Sequence, residues 1–179
     1  MLNDLSLVHA IALLLVLAAA VSDIRYRIIP NWMTYTGVLV GILLSYYLAG
    51  YSGVMVSIIG LFLALLPAML LFIMHSMGGG DVKLLSAMGA LLGYPLVLDV
   101  WFFSILAGSA LSLVMLVWRG ELLRLMQMVF IPRHRRKTKA EVPLASIPFA
   151  VAIASGTVWT LFSPLFSLSS VLEPLSRGV

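Results

Sequence analysis

Apolar residues run through this chain in long blocks, and the breaks between the blocks locate the ends of helices. About twenty consecutive apolar residues carry a helix across a hydrocarbon layer. The first block runs roughly from 5 to 22 and stops at Asp23, Arg25 and Arg27. The second starts near Trp32, a suitable interfacial anchor, and fades at AGYSG, 49–53. The third covers about 54–75 and ends in glycines. From 84 to 118 the chain is apolar except for Asp99. One helix of that length would reach about 50 Å, too long for a single crossing. That stretch therefore predicts two helices turning at GYP, 93–95, the first of them short. A last block, about 144–165, follows a long polar loop. The expected fold is an all-α polytopic membrane protein of about six transmembrane helices, forming a single membrane-embedded domain over 1–179.

Composition agrees with lipid as the main solvent. The chain is 62% hydrophobic and 10% charged, with a mean hydropathy of +1.11, too little charge to cover a water-soluble domain of this size. Cysteine is absent, which excludes disulfides, thiolate zinc sites, iron–sulfur clusters and cysteine nucleophiles. The opening MLNDLSLVHA carries no Lys or Arg, so the first block is expected to be a retained span rather than a cleaved signal peptide.

Charge sets the orientation. Six alternating spans place 23–31, 75–83 and 119–143 on one side. That side holds Arg25, Arg27, Lys83, Arg119, Arg124, Arg133, Arg135, Arg136, Lys137 and Lys139, against Arg177 alone on the other. The positive-inside rule makes the first side cytoplasmic and puts both chain ends outside. Within the loop, Arg133, Arg135, Arg136, Lys137 and Lys139 suit topology and anionic headgroups. The loop offers no folded reader and no interleaved aromatics, so nucleic acid is not an expected partner.

Position separates the seven acidic residues. Asp4 and Glu173 lie near the outer termini, and Glu121 and Glu141 flank the basic loop. Asp99 falls at an outer turn and is expected to be solvated. Asp23 and Asp81 differ, because each sits where an apolar helix meets the cytoplasmic interface. A carboxylate there is costly unless it is hydrated, paired or functional. The bland alternative pairs Asp23 with Arg25 or Arg27, and Asp81 with Lys83. Local sequence argues for more. Gly78, Gly79 and Gly80 permit unusual backbone angles and close approach of a second chain, and they predict irregular structure before Asp81. Irregular backbone at membrane depth must be buried in protein or line a wet cavity, which suits an extended peptide. Pro30 makes IIPN a turn that folds the end of the first helix toward the glycines.

The segments SDIRYRIIPN and GGGDVKLL closely resemble the two aspartate motifs of the type IV prepilin peptidases, the GxGD class of membrane aspartyl proteases. The match falls on Asp23 with Pro30 and Asn31, and on Gly78, Gly79, Gly80 and Asp81 continued by Lys83. A third segment, ASIPFAVAIASG at 145–156, resembles that family's late Pro-aromatic stretch. The resemblance implies an aspartic endopeptidase of the bacterial inner membrane with Asp23 and Asp81 as catalytic pair. Its substrate would be a prepilin or pseudopilin, cut at the cytoplasmic face. Larger members carry an amino-terminal domain with paired cysteines; this chain resembles the short, peptidase-only branch that serves tight-adherence pili. No methyltransferase domain, zinc or other cofactor is therefore expected.

Two close carboxylates share a proton and titrate as a pair. One activates water while the other hydrogen-bonds the scissile carbonyl; the sequence does not divide these roles. Lys83 is open between setting the charge on Asp81, meeting an acidic substrate residue and binding a lipid phosphate. Met33, Met74, Met77 and Met88 read first as apolar filling. His75 lacks ligating neighbours, His9 is expected to bond a neighbouring helix, and Ser76 and Ser86 lack a base. The rival reading is a small cation-coupled transporter using the same aspartates.

Overall fold

The computed structural model describes residues 2–118 and 149–162, with the side chains of 2–6 left aside. Within the described residues five helices follow in order: α1 (Leu2–Tyr26), α2 (Asn31–Ile73), α3 (Gly79–Leu92), α4 (Leu96–Trp118) and α5 (Phe149–Phe162). Among the described residues there is no strand. The basic loop with Arg133, Arg135, Arg136, Lys137 and Lys139 lies outside the described residues, as do Glu121, Glu141, Glu173, Arg177 and the start of the third motif segment.

Among the described residues, three helices are long and apolar enough to cross a membrane: Leu7–Tyr26, Asn31–Ile73 and Leu96–Trp118. The 43 residues of α2 are not straight. Gly50, at φ 62° and ψ −141°, breaks it inside the expected AGYSG turn, a conformation that only glycine adopts without penalty. The two limbs then run along α3 in opposite directions. On the first limb, Gly37 faces Ala87 and Gly41 faces Ala90; on the second, Gly60 faces Gly89 and Val56 faces Gly93. The chain therefore reverses at Gly50.

Helix α3 is the hub, touching each of the other four helices. It is buried from Leu84 to Leu92. Lipid tails are as apolar as leucine, so membrane helices associate through small residues that let backbones approach. That rule is followed here. Ala12, Val16 and Ala19 of α1 and Ala64 and Ala68 of α2 face inward, while Leu14, Leu17, Val21, Leu39, Leu43, Phe62 and Leu66 face outward. Ser57 Oγ–H donates to the Ala90 carbonyl at 2.7 Å, a polar bond inside that interface.

The turn at 93–95 forms as expected, between α3 and α4, with Gly93 at φ 68°. It is tucked under the second limb of α2, whose Val56 carbonyl accepts the Tyr94 N–H at 3.4 Å. This overturns the expectation for Asp99. The first turn of α4 lies inside the bundle with Val97 and Val100, and Asp99 is 0% exposed rather than solvated. An acid beside a turn resembles a surface residue in sequence unless a distant helix covers the turn, as the second limb does here.

His75 has a structural role. At the end of α2, Ser76 N–H donates to the Leu71 carbonyl and His75 N–H to that of Phe72, each at 2.9 Å. These are the two bonds of a Schellman cap, and His75 takes the left-handed position at φ 57°. Glycine suits that position better. His75→Gly should raise stability by about 0.5–1 kcal/mol, the released backbone cost less the extra freedom of the unfolded chain. Thermal unfolding in detergent reads this out.

Candidate active site

Asp23 lies in the last turns of α1, which continues past the expected stop near 22 to end at Tyr26. Arg27 follows in a left-handed conformation, φ 53°, with its N–H on the Asp23 carbonyl at 2.8 Å. Ser22 Oγ–H donates to the Ile28 carbonyl at 2.8 Å and ties down the other side of the turn. Pro30 then caps α2 in extended geometry, φ −63° and ψ 134°.

Asp81 enters from the opposite direction, in the first turn of α3. Gly78 is the N-cap, and its carbonyl accepts the Asp81 N–H at 3.1 Å. The side chain bends back over its own cap. Asp81 Oδ2 lies 3.0 Å from where a Gly78 Cβ would stand, the arrangement of an N3 acid reaching the N-cap amide.

The glycines work by closeness rather than by unusual angles. Gly78 has an ordinary φ of −75°, and α3 already begins at Gly79, so the irregular backbone expected before Asp81 ends sooner. A Cβ on Gly80 would press on Ile29 Cβ at 3.3 Å, and one on Gly79 would meet the Phe72 ring at 3.4 Å. Ile29, buried to 7% exposure, packs on that bare backbone. The IIPN turn thus rests on the glycine segment, and the two motifs meet.

Their charges meet as well. Asp81 sits at the end of a helix of 14 residues, about 21 Å and shorter than a hydrocarbon layer. Burial, reinforced by the facing Asp23 carboxylate, pushes Asp81 up to about 6 against the pull of its Gly78 backbone bond. Asp23 makes a further contact: its Oδ2 accepts the Ala150 N–H at 3.3 Å, at the start of α5. Three segments, at 23, 81 and 150, therefore converge at one end of the bundle. Among the described residues, no ion pair joins Asp23 to Arg25 or Arg27, or Asp81 to Lys83. Lys83 turns away, donating from Nζ to Asn31 Oδ1 at 2.8 Å and lying 5.9 Å from the centre of the Tyr35 ring.

Of the methionines, Met33 and Met88 are buried, while Met74 is exposed and Met77 packs against the core edge. The hydroxyls of Ser86 and Ser76 are spent on the carbonyls of Val82 and Met74. His9 is far from the acids and lines a cavity of about 250 Å³ with Ser45, Ser52 and Leu91. No group of three potential metal ligands occurs among the described residues. The sequence reading missed Ile29, Tyr35 and the Ala150 amide. The late Pro-aromatic segment was the available signal for Ala150, but nothing in spacing ties it to Asp23 across 127 residues.

A model of the type IV leader peptidase family matches residues 10–113, both aspartate motifs included. The chain belongs to that family. It is similar to the prepilin peptidase EppA of Methanocaldococcus jannaschii, 37% identical over 91 residues, which are 51% of this chain and 25% of that protein. It is also similar to the preflagellin peptidase of Methanococcus voltae, 36% identical over 88 residues, 47% of this chain and 37% of the other. The chain thus spans about a quarter to over a third of the length of these relatives. No solved structure matches it. Family membership together with several long apolar helices makes this a multi-pass membrane protein. Nothing in the family assignment favours the transporter alternative.

Proposed function

We propose that this type IV leader peptidase is an aspartyl enzyme that removes the leader of a prepilin-type preprotein at the cytoplasmic face of a bacterial inner membrane. The reading includes six crossings, with both chain ends outside and α3 entering the apolar layer beyond Asp81. The observation that carries it is the meeting of two acidic segments 58 residues apart in sequence, with Ile29 of the turn after Asp23 seated on Gly80 beside Asp81. A carboxylate serving only to cap α3 would gain nothing from a second acid facing it. A water-activating pair requires one.

The surroundings favour a division of labour. Asp81, pushed up to about 6, is suited to hold the shared proton. Asp23, already accepting the Ala150 N–H, is suited to carry the charge. In this scheme the Asp23 carboxylate takes a proton from a water whose oxygen attacks the scissile carbonyl carbon. Asp81 donates its proton toward the carbonyl oxygen. On collapse Asp23 passes the water-derived proton to the leaving nitrogen, a hydroxyl of the tetrahedral intermediate returns its proton to Asp81 as C=O re-forms, the C–N bond breaks, and one proton is again shared. The substrate would be a polar leader joined to an apolar helix, since the pair lies where α1 ends and α3 begins.

The direct test is to incubate the chain in lipid vesicles with such a preprotein and identify the cut by mass spectrometry; an uncut substrate refutes the proposal. The pH dependence follows from the proton on Asp81. A carboxyl raised from 3.8 to about 6 is protonated in the folded enzyme below that value and loses its proton above it. The ratio kcat/KM, which reports the free enzyme, should fall as pH rises past about 6. Bound substrate excludes more water, so the same limb should lie at higher pH in kcat. Stability shares the sign: the unfolded acid releases its proton first, so the contribution of Asp81 declines between 3.8 and about 6. A kcat/KM that climbs through this window would reverse the two roles.

A further inference from the structure

Lys83 belongs to the second motif but does not serve Asp81. Residues two apart on a helix point about 200° apart, so Asp81 faces α1 while Lys83 faces α2. Among the described residues no ion pair joins Lys83 to Asp81, whose side chain turns back toward Gly78. The ammonium instead bridges 52 residues to reach the first motif, at Asn31 Oδ1, 2.8 Å away.

We infer that Lys83 is a positioning residue: held on Asn31 Oδ1 and over the Tyr35 ring, it latches the turn that follows Asp23 onto the helix that carries Asp81. The inference rests on reading Asp23 and Asp81 as the peptidase pair. The turn is attached to α3 at two neighbouring points. Ile29 packs on the bare backbone of Gly80, and two residues further on Asn31 meets Lys83. Between the two lies Pro30, which has no N–H and cannot add a backbone bond. The apolar contact sets how closely the segments approach but leaves them free to slide. The bond at Asn31 is directional and fixes the register.

Tyr35 completes the latch. It lies one helical turn beyond Asn31 on α2, and its ring is 5.9 Å from Nζ, within reach of a cation–π contact. Lysine suits this place because its flexible stem spans the gap between helices. Its two remaining donors can face the partly exposed rim, where water satisfies them. Methionine would fill the same volume and leave Asn31 Oδ1 without its donor.

The consequence is geometric, so it should appear in kcat rather than in KM. With no native cysteine, the Ile28→Cys and Ser76→Cys pair, both positions exposed, takes two spin labels in vesicles. The inter-label distance then reports whether the turn stays in place. Lys83→Met should broaden that distance distribution and lower kcat roughly 10- to 100-fold with KM unchanged, the scale of a misplaced reacting group. Asn31→Ala should do the same, and the double variant should be no worse than either single one. Lys83→Arg, which keeps a donor and a cation over Tyr35, should restore the narrow distribution and most of kcat.

If Lys83→Met loses cleavage while the distances stay narrow, the ammonium acts on substrate or lipid and the latch is refuted. Failure of Lys83→Arg to restore both readouts refutes it as well. Unimpaired cleavage by Asp23→Asn would overturn the peptidase pair instead, and the label distances would still judge the latch.

Discussion

The Asp81→Asn chain should cut a prepilin-type substrate about 10²–10⁴-fold more slowly than the native chain, and Asp23→Asn should do the same, the scale of a lost acid or base. The two changes should not multiply. A pair that shares one proton works as a unit, so the double variant is expected to be no slower than either single one. Stability should move the other way. Above about pH 6 Asp81 is ionised and buried beside a like charge, and the neutral amide relieves that repulsion while keeping the shape. Asp81→Asn is therefore expected to unfold at the same or a higher temperature. That combination separates catalysis from capping, because a pure N3 cap loses only tenths of a kcal/mol to asparagine and leaves cleavage intact. Initial rates on a co-expressed preprotein and thermal unfolding in detergent measure the two halves. Native-rate cleavage by either single variant would end the dyad reading. The same result would follow from labels that placed positions 26 and 76 on opposite faces of the membrane.

Most of this arrangement was legible because lipid imposes simple rules on a chain. Length and apolarity defined the helices, AGYSG located the reversal at Gly50, and GYP located the turn between α3 and α4. Pro30 was legible as a helix start for a similar reason, since its ring fixes one angle and removes one donor. The convergence of the motifs was only half visible. The IIPN turn had a direction, but its seat did not, because Ile29 meets Gly80 through a packing contact that no local pattern encodes.

One expectation failed and another held only in part, for one physical reason. Asp99 was placed in water and is buried; the backbone before Asp81 is irregular through Gly78, but Gly79 and Gly80 are already helical. In each case a distant helix decides the outcome. The second limb of α2 covers the turn before Asp99, with the Tyr94 N–H on the Val56 carbonyl. Phe72, from the end of the same limb, and Ile29 close over Gly79 and Gly80. Propensity describes what a segment does alone, and tertiary contact overrides it wherever a missing side chain is what lets two backbones touch. The Ala150 contact was invisible in the same way.

The second large effect concerns those missing side chains. Gly60 and Gly89 face each other across the interface of α2 and α3. A Cβ on Gly60 would collide with the Gly89 carbonyl oxygen and stand 2.7 Å from Gly93 Cα; one on Gly89 would collide with the Gly60 carbonyl oxygen and stand 2.8 Å from Ala64 Cβ. Backbone cannot swing aside as a flexible side chain can, so the helices must separate. Gly60→Ala and Gly89→Ala should each cost about 1–3 kcal/mol from overpacking. Stretching the Ser57–Ala90 bond, 2.7 Å in the native chain, adds about 1 kcal/mol. Gly50→Ala is the informative control. Nothing lies within 4 Å of its Cβ position, so its cost comes from the backbone angle alone, about 1–3 kcal/mol. The two kinds of glycine should then part in function. Moving α3 moves Asp81 at its end, and a displacement near 1 Å costs about 10²-fold in rate; Gly89→Ala is expected to lose stability and cleavage together. Gly50→Ala leaves α3 seated and should lose stability only. Once one added methyl has opened the interface the second finds room, so Gly60→Ala with Gly89→Ala should cost less than the two separately. Unfolding midpoints and initial rates on the four chains decide it, and equal losses of activity at Gly50 and Gly89 would show that the seating of α3 does not govern the site.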